Sequence, residues 1–302
     1  MSCSTLTLPA GASDCIADYG DPKMLGISNT NNIYSNINAA RSTAGVKAWV
    51  DTSLSMIITN DFQGLESTQP EPVTESTGFG ANRDTRFNPG GMIVHLFSNP
   101  YAFNSMVGNL AGGVYWIELY LANGYKLLHK NDNGTYQGFK GQVTAVPVGI
   151  PGLDNKVQQY KLRVNWSNVD QFKNVELVQL VDTLDEYVAL NPTALGYELV
   201  DSTYSSTKIN VTLFALADRT SLVTDTLAAT IVDSYDATTG LAMVSPAVSV
   251  AAPNSGVSEL TITKNTGPAV TLASGDWIKF KLHKKTSSVY NSITEIITLK
   301  IA

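Results

Sequence analysis

The sequence predicts a mainly β protein. An N-terminal β-sandwich or barrel-like domain with one or two helices spans residues 1–190, and a C-terminal immunoglobulin-like β-sandwich spans residues 191–302. Three observations carry that prediction. Charged residues make up only 15% of the chain and hydrophobic residues 43%; Ser, Thr, Asn and Gly fill the gap below the usual charged share of about 25%, a balance suited to strands and turns. Asn-Gly pairs at 123–124 and 133–134 separate apolar runs, and the central positions of a tight hairpin turn require the positive φ these residues accept. In "WIKFKLHK", Ile278, Phe280 and Leu282 alternate with Lys279, Lys281 and His283, the period of a half-buried antiparallel strand that leaves the lysines and His283 in solvent.

Along the chain, two apolar runs, Val46 to Val50 and Leu54 to Ile58, flank Asp51-Thr52-Ser53 and read as two short strands of a hairpin. The stretch from Gly64 to Gly91, "GLESTQPEPVTESTGFGANRDTRFNPGG", is rich in Gly and Pro and shows no periodicity. It reads as a structureless loop longer than compact domains usually hold, and so either as a functional segment, such as an arm toward a neighbour, or as a mobile one. Arg83, Asp84 and Arg86 are its charged tip and the expected subunit contact. "MIVHLF", "GVYWIELYL", "YKLLHK" and "TYQGFKG" read as strands, the last three as a meander, and "QVTAVPVGI" and "VQQYKLRVNW" add two more. In "VELVQLVDTLDEYVAL", Leu177, Leu180, Val181, Leu184 and Val188 follow a helical period while Val175 to Val181 alone suits a strand; a short strand leading into a helix is expected. From Tyr197 onward, seven or so short strands match an immunoglobulin-like sandwich in size and spacing. The Cys…Trp…Cys signature of antibody domains is absent. Pro192 and Gly196 punctuate the boundary.

Composition also excludes functions. A net charge of -6 without a basic patch argues against sequence-specific nucleic-acid binding. No apolar run approaches the roughly 18 residues of a membrane span. The first twenty residues lack the basic and apolar regions of a secretory leader, so the thiols are expected to begin in a reducing compartment.

Catalytic chemistry finds little support. His95, His129 and His283 lie apart, without a second ligand at metal spacing, and read as structural. Nucleophile-elbow, Walker, zincin and dinucleotide motifs are absent. Glu66, Glu71 and Glu75, and Asp182, Asp185 and Glu186, could form glycosidase-type carboxylate pairs, but they read as a polar loop and a solvated helix face. Asn133-Gly134 in "KNDNGTY" is explained by a turn and not by a calcium loop. Tyr115, Trp116, Tyr120 and Tyr125 could line a sugar-stacking face, though core or interface packing is the stronger reading. No cofactor and no enzymatic activity are expected.

Cys3 and Cys15 are the only cysteines. A zinc site would lack two ligands, and a redox pair is usually Cys-x-x-Cys. A disulfide formed late and an inherited terminal motif stay open.

The opening "MSCSTLTLPAGASDCIADYGDPKMLGIS" resembles the start of a group of virion structural proteins of tailed bacteriophages, crAss-like phages among them. In that group a short leader carries one Cys and a second Cys precedes a glycine-containing step into the first strand; here "YGDPK" stands at that step. "YKLLHKNDNGTYQGFKGQVTAVPVGIPGLDNKVQQYKLRVNWSNVDQFKNVEL" resembles the group's middle: a hairpin with an Asp-Asn-Gly turn, a glycine, a loop with Asp154, and a strand ending in an aromatic residue. The resemblance covers residues 1 to about 180. It implies a virion subunit of a tail tube, ring or collar, made in the host cytoplasm, whose partners are copies of itself and other virion proteins. It makes Cys3 and Cys15 a terminal feature inherited with the family, with a disulfide between them as the alternative. An acidic balance suits a DNA conduit, whose negative wall repels phosphate. The alternative function is a capsid decoration or fibre protein, or a carbohydrate-binding adhesin using the C-terminal sandwich.

Overall fold

Thirteen strands precede residue 180 in the structure, a computed structural model that describes residues 21–68, 71–77, 81–96, 113–146, 160–200, 208–216, 219–254, 256–263 and 272–301. They are β1 (Pro22–Ser28), β2 (Ile33–Tyr34), β3 (Met56–Ile58), β4 (Phe62–Thr68), β5 (Glu71–Thr77), β6 (Ala81–Asn88), β7 (Gly91–Leu96), β8 (Val114–Leu121), β9 (Tyr125–Lys130), β10 (Tyr136–Gln137), β11 (Phe139–Val146), β12 (Tyr160–Trp166) and β13 (Val175–Gln179). All but β5 and β6 belong to one sheet of order β2-β10-β9-β8-β11-β12-β7-β4, with β1 beside β8, β3 beside β1 and β13 beside β9. The protein is mainly β, as its composition predicts.

β1 and β8 lie at the centre and are buried on both faces. Their alternation therefore feeds two cores, because successive side chains of a strand point to opposite faces. Leu25, Ile27, Ile117, Leu119 and Leu121 enter a core with Val94, Phe139, Val143, Leu162 and Val164. Met24 and Tyr120 enter a second core with Tyr34, Met56, Leu128, Val178 and Tyr187.

Val46 and Val50 also enter that second core, both fully buried, which corrects the expected hairpin of strands. They stand four residues apart, so a helix presents both on one side. Residues Ile37–Ala40 and Thr43–Lys47 form two short α-helices, and a π-helical turn covers Ala48–Thr52. Of the second run only Met56–Ile58 is a strand, paired with β1. The ambiguous segment resolves as strand then helix. β13 pairs with β9, and Leu184–Val188 is a helix capped by Thr183 and Glu186 in a reciprocal box. Val181 stands 59% exposed between them and belongs to neither face.

The turns fall where expected, with Gly124 at φ 79 and Gly134 at φ 80. The pairing of Leu119 with Leu127 and Tyr120 with Lys126 makes the first a three-residue loop, Ala122-Asn123-Gly124. Glycine there supplies the left-handed residue that closes such a loop.

The second sheet contains β14 (Thr193–Leu199), β15 (Lys208–Ala215), β16 (Ala228–Tyr235), β17 (Ala247–Val250), β18 (Val257–Thr263), β19 (Trp277–Thr286), β20 (Val289–Thr294) and β21 (Ile297–Lys300). β14-β15-β18-β17 reproduces the A-B-E-D order of an immunoglobulin sandwich, and β16-β19-β20 its C-F-G order. β20 and β21 pair with successive stretches of β19, so together they make one interrupted G strand. A parallel pairing of β14 with β20 joins the two halves, and the end strands β16 and β17 lie alongside each other, nearly closing the sheet. Leu195, Val211, Leu213, Leu260, Ile262, Phe280, Leu282 and Ile297 fill the core between them.

His283 does not face solvent as the alternation predicts; it is 6% exposed. β19 is paired there on both edges, to Ala228 and to Ile293, and the Tyr290 ring lies against the imidazole at 5.2 Å. Burial, and then the charge of Lys285, hold its pKa below the ordinary 6.5.

The chain passes between the sheets at Asn191-Pro192. Asn191 Oδ1 accepts from the Ile58 N–H at 3.1 Å, and its Nδ2 donates to the Ile58 carbonyl at 2.7 Å. Among the described residues no strand of one sheet pairs with the other. Asn191→Ala should cost about 1–3 kcal/mol, since it strands both backbone groups of Ile58; urea unfolding of the variant checks this.

Candidate functional site

The described residues between 64 and 91 are not a structureless loop. β4 pairs with β7 from Phe62↔Leu96 to Thr68↔Gly91, and β5 pairs with β6 from Glu71↔Asn88 onward. The paired numbers sum to 159 on both sides of the junction, 68 + 91 and 71 + 88, so the second ladder continues the register of the first. The described residues of 62–96 thus form two antiparallel ladders in one register, and β5–β6 is a two-stranded sheet separate from the first. At about 3.3 Å per residue a seven-residue strand reaches roughly 23 Å. Pro72 is tolerated in β5 because among the described residues the strand has a partner on one side alone, which leaves half of its N–H groups outside the ladder. Arg83, Asp84 and Arg86 stand in β6, opposite Glu75, Thr74 and Val73, with a bulge between the last two pairs. Cys3, Cys15 and Asp154 lie outside the described residues.

At the base of this arm the outward side chains of β4, β7 and β12 form a polar face. Met92, Val94 and Leu96 point into the core, which turns Ile93 and His95 outward beside Arg163 and Lys161. Glu66 Oε1 lies 2.8 Å from His95 Nε2 and 3.8 Å from Lys161 Nζ. Between Glu66 and Arg163, over Ile93, runs a shallow groove of about 410 Å³ that reaches Ser67, Gly91 and Asn165. This face can hold another chain by ion pairs, while the ribbon's edges can hold one by backbone hydrogen bonds.

Beneath the helices lies a second polar feature that the sequence reading missed. Glu118 and Lys126 are 3% and 0% exposed, and Lys126 Nζ stands 3.1 Å from Glu118 Oε2. Tyr34 donates to Glu118 Oε1 at 2.6 Å, Tyr120 donates to Oε2 at 3.0 Å, and Lys126 donates to the Tyr34 hydroxyl at 2.9 Å. The ammonium also lies 4.3 Å from the Tyr34 ring centre and 5.3 Å from that of Tyr120. Burial pushes the Lys126 pKa down from 10.5, against the opposing pull of Glu118. Burial, then the Glu118 charge, pushes Tyr34 and Tyr120 well above 10.0; burial raises Tyr187 too. The signal in the sequence was a lone acid inside "GVYWIELYL", since a carboxylate on a doubly buried strand needs a buried partner.

The remaining candidates are accounted for locally. His129 Nδ1 lies 2.9 Å from the Gln171 carbonyl oxygen. Asp182 accepts from the Thr43 N–H and hydroxyl at 2.6 and 2.8 Å, tying the two helical segments together. Asp185 and Glu186 occupy the first turn of the helix, which Glu186 helps to cap. The side chains of Glu71 and Glu75 lie outside the described residues. Tyr115 and Tyr120 are buried in separate cores, Tyr125 packs against the first, and Trp116 is met by Lys140 Nζ at 5.8 Å from its ring. Among the described residues no three His, Cys, Asp or Glu side chains gather as metal ligands, and no helix is long and apolar enough to cross a membrane.

Lys126→Met should destabilise the fold by about 3–5 kcal/mol, because it leaves Glu118 buried and unpaired, whereas adding Glu118→Leu should recover most of that loss; chemical denaturation of the two variants measures both. The tyrosines set an alkaline limit. Below pH 10 the phenols are neutral in folded and unfolded chains alike. Above 10.0 the unfolded chain sheds their protons and the folded chain does not, so stability falls as pH rises. Lys126 acts oppositely, its share growing as pH climbs toward 10.5, but one amine stands against three phenols. The urea midpoint should therefore drop above pH 10, and Tyr34→Phe with Tyr120→Phe should flatten the drop.

Compared with known proteins, the chain matches no protein-family model and no curated protein sequence.

Proposed function

We propose that the protein is a non-enzymatic structural subunit that assembles with copies of itself, as part of the tail tube, ring or collar of a tailed-phage virion. The observation that supports this reading is the arm formed by residues 62–96. A two-stranded ribbon alone is at best marginally stable in water. β5–β6 has no third strand among the described residues, and a neighbouring subunit's strand paired to one of its edges would supply the missing stabilisation. The second support is the base of the arm, where Glu66, Lys161 and Arg163 present opposite charges on one flat face. Arg83, Asp84 and Arg86 bring the same mixture on β6. The virion setting comes from the resemblance of residues 1–180. Other virion proteins are the further partners, and the C-terminal sandwich is the part left to decorate the outside of the assembly.

Replacing residues 69–90 by Asn-Gly tests the assembly role, because Thr68 and Gly91 are paired and a two-residue turn closes such a pair. Light scattering and negative-stain imaging of the full chain should show rings or tubes. The shortened chain should be monomeric, with unchanged circular dichroism and melting. Unchanged assembly after the replacement would remove the arm from the contact.

A further inference from the structure

The outward face of the C-F-G half of the second sheet carries a flat array of cations and aromatic rings. The registers place Tyr235, Trp277 and Lys300 in one row across β16, β19 and β21, and Asp233, Lys279 and Thr298 in the next. Thr230 and Lys281 continue the array. Their neighbours along β19, Ile278, Phe280 and Leu282, point the other way into the core. The Tyr235 and Trp277 rings stack at 5.9 Å with 15° between their planes, and Lys279 Nζ sits 4.8 Å from the Trp277 ring centre.

The lysines here differ from others in the same sandwich. Lys208 and Lys284 are paired with Glu259 and Asp225 at 2.8 and 2.7 Å. Lys279, Lys281 and Lys300 have no carboxylate partner among the described residues. Asp233, though opposite Lys279, turns an oxygen to the Ser234 N–H at 2.9 Å. A chain with net charge -6 thus shows a local positive field on one exposed face, which attracts anions.

We propose that this face binds an acidic polysaccharide, a chain of pyranose rings bearing carboxylates. Each part of the array meets one part of that ligand: the lysines meet carboxylates, Thr230, Thr298 and Asp233 meet ring hydroxyls, and the aromatic pair offers an apolar edge to sugar C–H groups. Lys279 and Lys281 stand two residues apart on one strand, roughly 7 Å, a spacing suited to a sparse polyanion. Duplex DNA, with one charge per about 1.7 Å, asks for far denser cations. Asp233 can accept from sugar hydroxyls, which the backbone of duplex DNA lacks. This binding is independent of the assembly role, since it uses the second sheet and none of the arm.

The test uses the full-length protein with polygalacturonate as probe, dextran as neutral control and duplex DNA as polyanion control, in affinity gel electrophoresis and calorimetry. Polygalacturonate should bind, more weakly as salt rises, and dextran and DNA should not. Lys279→Gln, Lys281→Gln and Lys300→Gln together should weaken binding about tenfold, the combined effect of three exposed ion pairs, with melting unchanged. If that triple variant fails to fold, Lys300→Gln alone, on an exposed position of β21, should weaken binding about twofold. Absence of polygalacturonate binding, equal affinity in the folded variant, or tighter binding of DNA would overturn the proposal.

Discussion

The first sheet depends on the ion pair between Glu118 and Lys126. Both charges are removed from water, and desolvation of each is offset only because every polar atom finds a partner of the right kind. The tyrosines complete the carboxylate's shell, and their rings face the ammonium. The pair also sets register. With the three-residue loop at 122–124, Lys126 lies opposite Tyr120 and shares its face with Glu118. A slip of one residue would turn Lys126 toward Leu119 and Leu121, placing an unpaired ammonium in the apolar core. One buried charge thereby excludes the nearest misfolded pairing.

β2, β8, β9 and the helix carrying Tyr187 all meet at that pair. It anchors the face of β8 that the apolar core cannot, and so lets β8 serve as a wall between two cores. β4 ends the sheet's strand order on one side, as β2 does on the other. Edge strands usually end short or are masked, because unpaired backbone groups invite other chains. Here β4 and β7 are instead followed, in the same register, by the β5–β6 ladder.

The second sheet is held by other means. Its core is mostly apolar, with Ser258 and Ser234 buried at its margin, and its order follows from antiparallel neighbours closed by one parallel pairing of β14 with β20. Asp276, fully buried, accepts from the N–H groups of Ala237 and Ala273 and draws two loops together at one end. Lys279 and Lys281 alternate with the core residues Ile278, Phe280 and Leu282 and so lie on the sheet's outer face.

Strand content, the turns at Gly124 and Gly134, and the alternation of β12 and β19 were legible in the sequence, since each depends on residues within a few positions of one another. The stretch from Gly64 to Gly91 was not: its Pro and Gly content concealed the strands β4, β5 and β6. Val46 and Val50 read as strand because the four-residue spacing had to be weighed against β-branched propensity, and only the second core, built from β1, β8 and β13, decided for helix. His283 read as exposed because alternation says nothing of Tyr290, which covers it. The Glu118–Lys126 pair was hidden for the same reason: its members are eight residues apart, and whether they share a face turns on one residue of loop length. Local chemistry thus determined which segments are strands and where they turn. Tertiary structure alone decided burial, register and the partners of buried charges, because these depend on what distant segments place on the other side.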